Sequence, residues 1–134
     1  MEEIYLATYG TLRKGQGNWF RFLSCLEPLG TFRVKGYQLY SNGAFPYAVP
    51  TRTADSIVVD VFKITEIQFL NCDYLEGYPH HYDRRRVRPI NCELSPWMYY
   101  KTRKSLGERL SSLRLIPTGD WMDRLQSYEK ELHL

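Results

Sequence analysis

The chain is poor in the residues that staple or metallate a small protein. It has three cysteines, Cys25, Cys72 and Cys92, widely spaced and without a CxxC pair. Its three histidines are the neighbours His80 and His81 and the remote His133. An odd, scattered cysteine set excludes a disulfide framework, and without paired Cys/His spacing or an HExxH element no metal site is expected. Long apolar runs are missing too. None approaches the roughly 18 to 20 residues that cross a bilayer, and the start MEEIYLATYG is acidic with no secretory-signal pattern. Reduced thiols, a cytoplasmic location and no membrane association are the expectation. A Walker loop, a GxGxxG fingerprint and a GxSxG elbow are all absent, so neither nucleotide binding nor a serine nucleophile is supported. One-sided charge is absent as well. Lys and Arg number 18 against 15 Asp and Glu, a net +3, which falls short of a dedicated nucleic-acid module.

What is abundant is aromatic surface. Eleven Tyr, six Phe and three Trp make up 15% of 134 residues, more ring than a domain of this size needs to close its core, so some rings are expected to line a pocket. The length suits one domain spanning residues 1–134. Ile4 to Tyr9 reads as a first strand that stops at Gly10. The following GTLRKGQGN carries three glycines, which let peptide groups approach a ligand closely. Trp19, Phe22, Leu23 and Leu26 recur at helical spacing before Pro28. Residues 29–50 read as antiparallel hairpins, with Asn42-Gly43 as a tight turn. Ser56 to Ile64 is a strand buried on much of both faces and interrupted only by Asp60.

Thr65 and Gln68 form a capping-box pattern for a helix that runs to about Glu76, is stopped by Gly77 in a left-handed cap and cannot pass Pro79. Strands follow near 82–90 and 97–102, while 105–115 mixes helical and extended signals. Asp120 reads as the N-cap of a terminal helix whose apolar face is Met122, Leu125, Tyr128 and Leu132. The whole suggests an α+β domain with a curled sheet or small barrel.

Two segments carry chemistry. A carboxylate at a helix C-terminus, as at Glu76, faces partial negative charge, and if Tyr74, Tyr78 and Tyr82 shield it from water its pKa rises toward the range useful for proton transfer. An exposed helix-end Glu is the plain alternative. The amides of the glycine loop could hold a carboxylate or an oxyanion. Arg84, Arg85, Arg86 and Arg88 are the one argument for nucleic acid. A solvated strand face with one inward Arg paired to a carboxylate is the preferred reading, so a nucleic-acid partner is not expected.

These motifs resemble those of a known family. Tyr9-Gly10-Thr11-Leu12-Arg13-Lys14-Gly15 with Asn18 is similar to the YGTLRxG loop of the gamma-glutamylcyclotransferase-like, or AIG2-like, superfamily. Asp73-Tyr74-Leu75-Glu76-Gly77-Tyr78-Pro79 with Tyr82 and Arg84 resembles its LDxLEGYP…YxR segment. GYQLYSNGAFPYAVP resembles its central hairpin, and Gly119-Asp120-Trp121 its GDW ending.

The resemblance implies a small mixed β-barrel with flanking helices, and a reaction in which a small-molecule gamma-glutamyl amide cyclises to 5-oxoproline and releases its amine, with no cofactor and no metal. It further implies Glu76 as catalytic acid and base, the amides of Gly10, Thr11 and Leu12 as the ligand-holding loop with Tyr9 at its edge, and Tyr82 as a pocket wall. The chain departs from the family at Val59 and Asp60, where Gly and Glu are usual, and at Cys72, where Leu is. The first change is expected to tighten the strand or narrow the pocket, and the second is a small core substitution. A catalytically silent binding or interaction module on the same scaffold is the alternative function.

Overall fold

The structure, a computed structural model, describes residues 2–125. Among these residues eight strands form two sheets. In the larger, β2 (Gly30–Lys35), β5 (Ser56–Ile64), β1 (Ile4–Thr8), β7 (Trp97–Tyr100) and β6 (Asp83–Arg86) lie in that order; the smaller runs β4 (Pro46–Pro50), β3 (Tyr37–Ser41), β8 (Arg114–Ile116). β1 is antiparallel to β5 but parallel to β7, through Leu6 opposite Trp97. The α+β class holds, but the expected barrel does not close: among the described residues no ladder joins the two sheets edge to edge.

β1 and β5 are apolar almost throughout because both faces of the larger sheet are covered. Alternate residues point to opposite faces. Ala7, Val59, Val61 and Met98 meet Leu39, Ala48 and Ile116 of the smaller sheet, together with Trp121. Leu6, Phe62, Ile64 and Tyr99 pack on the other side with Trp19 of α1 (Gly17–Phe22), Cys72 of α2 (Glu66–Glu76) and Leu106 of α3 (Arg103–Leu106). Burying such side chains stabilises by roughly 1.5–3 kcal/mol each.

Several expectations shift. β2 does not pair with β3: it lies against β5, and Gly36, at φ 86, passes the chain from one sheet to the other. The hairpin over Asn42-Gly43 is present, pairing Tyr40 with Tyr47, and the Asn42 side chain accepts from the amides of Ala44 and Phe45. α1 ends at Phe22 and does not reach Leu26, because Ser24 and Cys25 take left-handed backbone. Trp19 Nε1 then donates to the Leu26 carbonyl at 2.7 Å.

The strands expected over 82–90 and 97–102 are shorter. Beyond Arg86 the chain meets Pro89 and a left-handed Asn91, and β7 ends at Tyr100. The mixed stretch resolves into α3, a 3-10 segment at Gly107–Ser112, and β8. Asp120 does cap, accepting from the Met122 amide, and a 3-10 turn at Trp121–Asp123 leads into helical Arg124 and Leu125; Tyr128 and Leu132 lie outside the described residues. No helix among the described residues is long and apolar enough to cross a membrane.

Candidate functional site

The capping box at the start of α2 forms as its residues require. Thr65 accepts from the Gln68 amide at 3.1 Å, and the Gln68 side chain accepts from the Thr65 amide at 2.9 Å. Eleven residues later the helix ends on Glu76, with Gly77 at φ 65 donating back to the last turn. A side chain at Gly77 would be strained there, and its Cβ would sit 2.9 Å from that of His81. The Tyr78–Pro79 peptide is cis, and the chain turns so that the Tyr82 amide donates to the Glu76 carbonyl at 3.3 Å.

Glu76 faces a cleft of two adjoining compartments. The inner recess is lined by Ala7, Thr8, Tyr9, Gly10, Thr11, Leu12, Pro46, Glu76 and Tyr99. The outer compartment, with a cavity volume of about 130 Å³, adds Asn18, Phe45, Leu75, His81 and Tyr82. Thr11, Pro46 and Glu76 belong to both. All six residues singled out from the sequence, Tyr9, Gly10, Thr11, Leu12, Glu76 and Tyr82, therefore line this one cleft.

The aromatic surround differs from expectation. Tyr74 is 89% exposed, because residues two apart on a helix point to nearly opposite faces. Tyr78 turns to stack on Arg84, 4.4 Å from the ring centre. The rings near Glu76 are Tyr9, Tyr82 and Tyr99, all buried. Tyr99 carried no local signal in the sequence. It arrives because β7 is hydrogen-bonded beside β1, a pairing between distant parts of the chain.

No hydrogen bond or ion pair holds the Glu76 carboxylate among the described residues, and burial pushes its pKa up to about 7. Burial foremost, then the nearby Glu76 charge among lesser neighbours, raises the Tyr9 hydroxyl well above its ordinary range. Tyr82 and Tyr99 are raised too, again by burial first. All three remain protonated. Tyr82 donates to the Pro46 carbonyl at 2.7 Å and stacks on Tyr47 at 5.6 Å, so it acts as a fixed wall that also holds the edge of β4. The Cys72 thiol, on the buried face of α2, is pushed up to about 12 by burial and then by Glu76 and Asp73. That makes it an inert packing group.

The glycine loop is held from behind. Arg13, buried, reaches Asp60 with Nε at 3.3 Å and Asp120 with Nη1 at 2.6 Å. Asp60 also accepts from the Lys14 amide at 3.0 Å and the Thr31 hydroxyl at 2.7 Å. In front, the Asn18 amide group donates to the Thr11 hydroxyl at 2.9 Å. Gly10 is required by contact, since a Cβ there would lie 2.1 Å from Pro46 Cγ. No hydrogen bond from the amides of Thr11 or Leu12 is present among the described residues, which leaves these donors beside the inner recess. Asp60 and Asp120 were not read as site residues. Their signal was a charge breaking an otherwise apolar strand and an arginine inside the glycine loop.

The arginine run is largely engaged internally. Arg84 Nε lies 3.2 Å from Asp73, and its guanidinium stacks between Phe69, at 4.1 Å, and Trp97, at 4.7 Å. Arg85 donates to the Tyr37 hydroxyl at 2.7 Å. Asp73 also accepts from the Tyr99 hydroxyl at 2.7 Å, which ties α2 to β7 beneath the cleft.

Comparison with known proteins gives concordant matches. The family model described as "Gamma-glutamyl cyclotransferase, AIG2-like" matches residues 6–123. The gamma-glutamylcyclotransferase family protein YtfP of Escherichia coli K12 is 34% identical over 117 residues, covering 87% of this chain and 94% of the relative. The solution structure of E. coli ytfP superposes with a TM-score of 0.63 at 30% identity, covering 90% of this chain and 98% of that one. The crystal structure of PH0828 from Pyrococcus horikoshii gives a TM-score of 0.71 at 25% identity, covering 98% and 99%.

Proposed function

The chain belongs to the gamma-glutamyl cyclotransferase, AIG2-like family, and on that premise we propose that it cyclises a small gamma-glutamyl amide or gamma-glutamylamine to 5-oxoproline and releases the amine, without a cofactor. The observation that carries the reading is the Glu76 carboxyl. It is half-buried at the cleft without a counter-charge, raised to about 7 and opposite a loop with unengaged amides. A carboxyl near 7 both accepts and returns a proton at neutral pH.

In this reading Glu76 takes a proton from the substrate's α-ammonium group. The freed nitrogen attacks the γ-carbonyl carbon of the same molecule, forming the ring C–N bond. The γ-oxygen becomes an oxyanion held by the Gly10 to Leu12 amides. Collapse breaks the bond to the leaving nitrogen, which receives the proton from Glu76; the ring nitrogen then sheds its second proton through the same carboxylate to the amine, which departs as an ammonium, so atoms and charge balance. Nucleophile and electrophile are already tethered, so folding the substrate supplies much of the acceleration. Tyr9 and Tyr82 act as walls.

We assign the whole of 1–134 to one domain and the protein to the cytoplasm, in keeping with three free cysteines. The test is release of 5-oxoproline from a panel of gamma-glutamyl dipeptides and gamma-glutamylamines. Glu76→Gln is expected to lower turnover by at least about 10²-fold, in line with general acid–base contributions. A fully active Glu76→Gln variant overturns the mechanism. Binding of 5-oxoproline with no turnover across the panel would move the chain to the silent binding role.

A further inference from the structure

The outer compartment holds one feature that the cyclisation does not use. Lys101 is 4% exposed, yet no carboxylate lies within ion-pair distance of it among the described residues. Its Nζ donates to the His81 carbonyl at 2.5 Å and lies 3.2 Å from His81 Nδ1. An ammonium has only donors, so Nδ1 must accept and the ring proton sits on Nε2. His81 is itself exposed and lines the outer compartment. Its ring packs edge-on against Tyr82 at 4.9 Å, which fixes its plane. Arg109 adds positive charge felt by both His81 and Lys101. Apart from Glu76, no acidic side chain lines the compartment. The result is an oriented N–H donor backed by a buried cation, at the mouth of a cleft whose other outer walls are Phe45, Leu75 and Tyr82.

We propose that His81, held in its Nε2–H tautomer by Lys101, recognises a carboxylate of the substrate in the outer compartment. This rests on the cyclisation reading. A gamma-glutamyl substrate offers two sources, its own α-carboxylate and, where the leaving group is an amino acid, that group's carboxylate. Both are the same chemistry, each two bonds from a reacting nitrogen. Lys101 is the positioning residue: it fixes the tautomer and supplies the field, while His81 makes the contact.

The experiment measures product release by the full chain and by His81→Phe. Phe keeps the ring against Tyr82 and removes the donor, at an exposed site that spares the fold. Three substrates separate the sources: gamma-glutamyl-alanine, gamma-glutamyl-ethylamine, which lacks the leaving-group carboxylate, and gamma-glutamyl-alanine with its glutamyl α-carboxylate converted to carboxamide. A loss of roughly 10-fold or more in kcat/KM, carried by KM, is expected for substrates that retain the recognised carboxylate. The substrate lacking it should lose about twofold or less, and this identifies the source. His81→Gln, which retains an N–H donor, should restore part of the loss. Lys101→Met should show the same substrate dependence with a smaller loss. An equal loss on all three substrates, or none, overturns the proposal while leaving the cyclisation reading intact. Failure of the unaltered chain to release product from any of the three overturns both.

Discussion

At the scale of single residues the cleft is governed by one unpaired charge and one missing side chain. Glu76 has a raised pKa, so between about 4.5 and 7 the folded state binds more protons than the unfolded state. Stability is therefore fullest below 4.5 and falls as pH rises through 7. Glu76→Gln should relieve a penalty of about 3 kcal/mol at pH 8 and almost none at pH 4, converting the shift at 1.36 kcal/mol per unit. Denaturant unfolding at the two pH values measures it, and an equal gain at both would refute the burial account. In the unaltered protein the acid limb of the pH–rate profile should fall near 7 as Glu76 protonates. Gly10 is governed by space. Gly10→Ala forces a clash with Pro46 and should lower both turnover and stability, the latter by about 1–3 kcal/mol. Gly17→Ala meets nothing within 4 Å and should leave thermal unfolding within about 0.5 kcal/mol of the parent. Much of this was legible. The sequence marks Glu76 by its position before a capping glycine, whereas Tyr99 depends on a strand pairing with no local pattern.

At the scale of elements, legibility followed local rules. β1, β5 and α2 were readable because a β-branched run, a capping box and a left-handed glycine each act within a few residues. The sheet to which β2 belongs was not readable, because a glycine-punctuated run of strands suits either a hairpin or a change of sheet, and Gly36 makes the change. The failure at α1 has the same origin: its apolar spacing continues to Leu26, but left-handed backbone at Ser24 and Cys25 ends the helix first. Asp60 shows how an element can serve a site it does not line. It sits in the middle of β5, and its carboxylate holds Arg13, the Lys14 amide and Thr31. Asp60→Asn should cost roughly 2–4 kcal/mol, since a buried guanidinium loses a charged partner. It should also lower kcat more than chemical denaturation alone explains, because the loop amides lose their backing. Parent-like kinetics in a destabilised Asp60→Asn variant would separate the network from the site.

At the scale of the molecule, the cleft belongs to no single layer. Pro46 comes from the smaller sheet, Tyr99 from the larger, Glu76 from α2 and the amides from the loop after β1. A ligand in the cleft should therefore fasten all four together. At 5-oxoproline concentrations near 100 times its Kd, linkage predicts about 2.7 kcal/mol of added stability. Hydrogen exchange should slow in β4, β7 and the 10–14 loop in concert; slowing confined to one of them would show the ligand elsewhere. The reach of Asp120 to Arg13 carries a further consequence. A loop made among the first residues of the chain is latched by a carboxylate made among its last fifteen, and the Val58 amide anchors that return by donating to the Gly119 carbonyl. Translation runs from one to the other, so a nascent chain halted before residue 120 already carries Glu76 and Asp60 but lacks the second carboxylate on Arg13, and the loop is fully backed only once synthesis has passed Asp120.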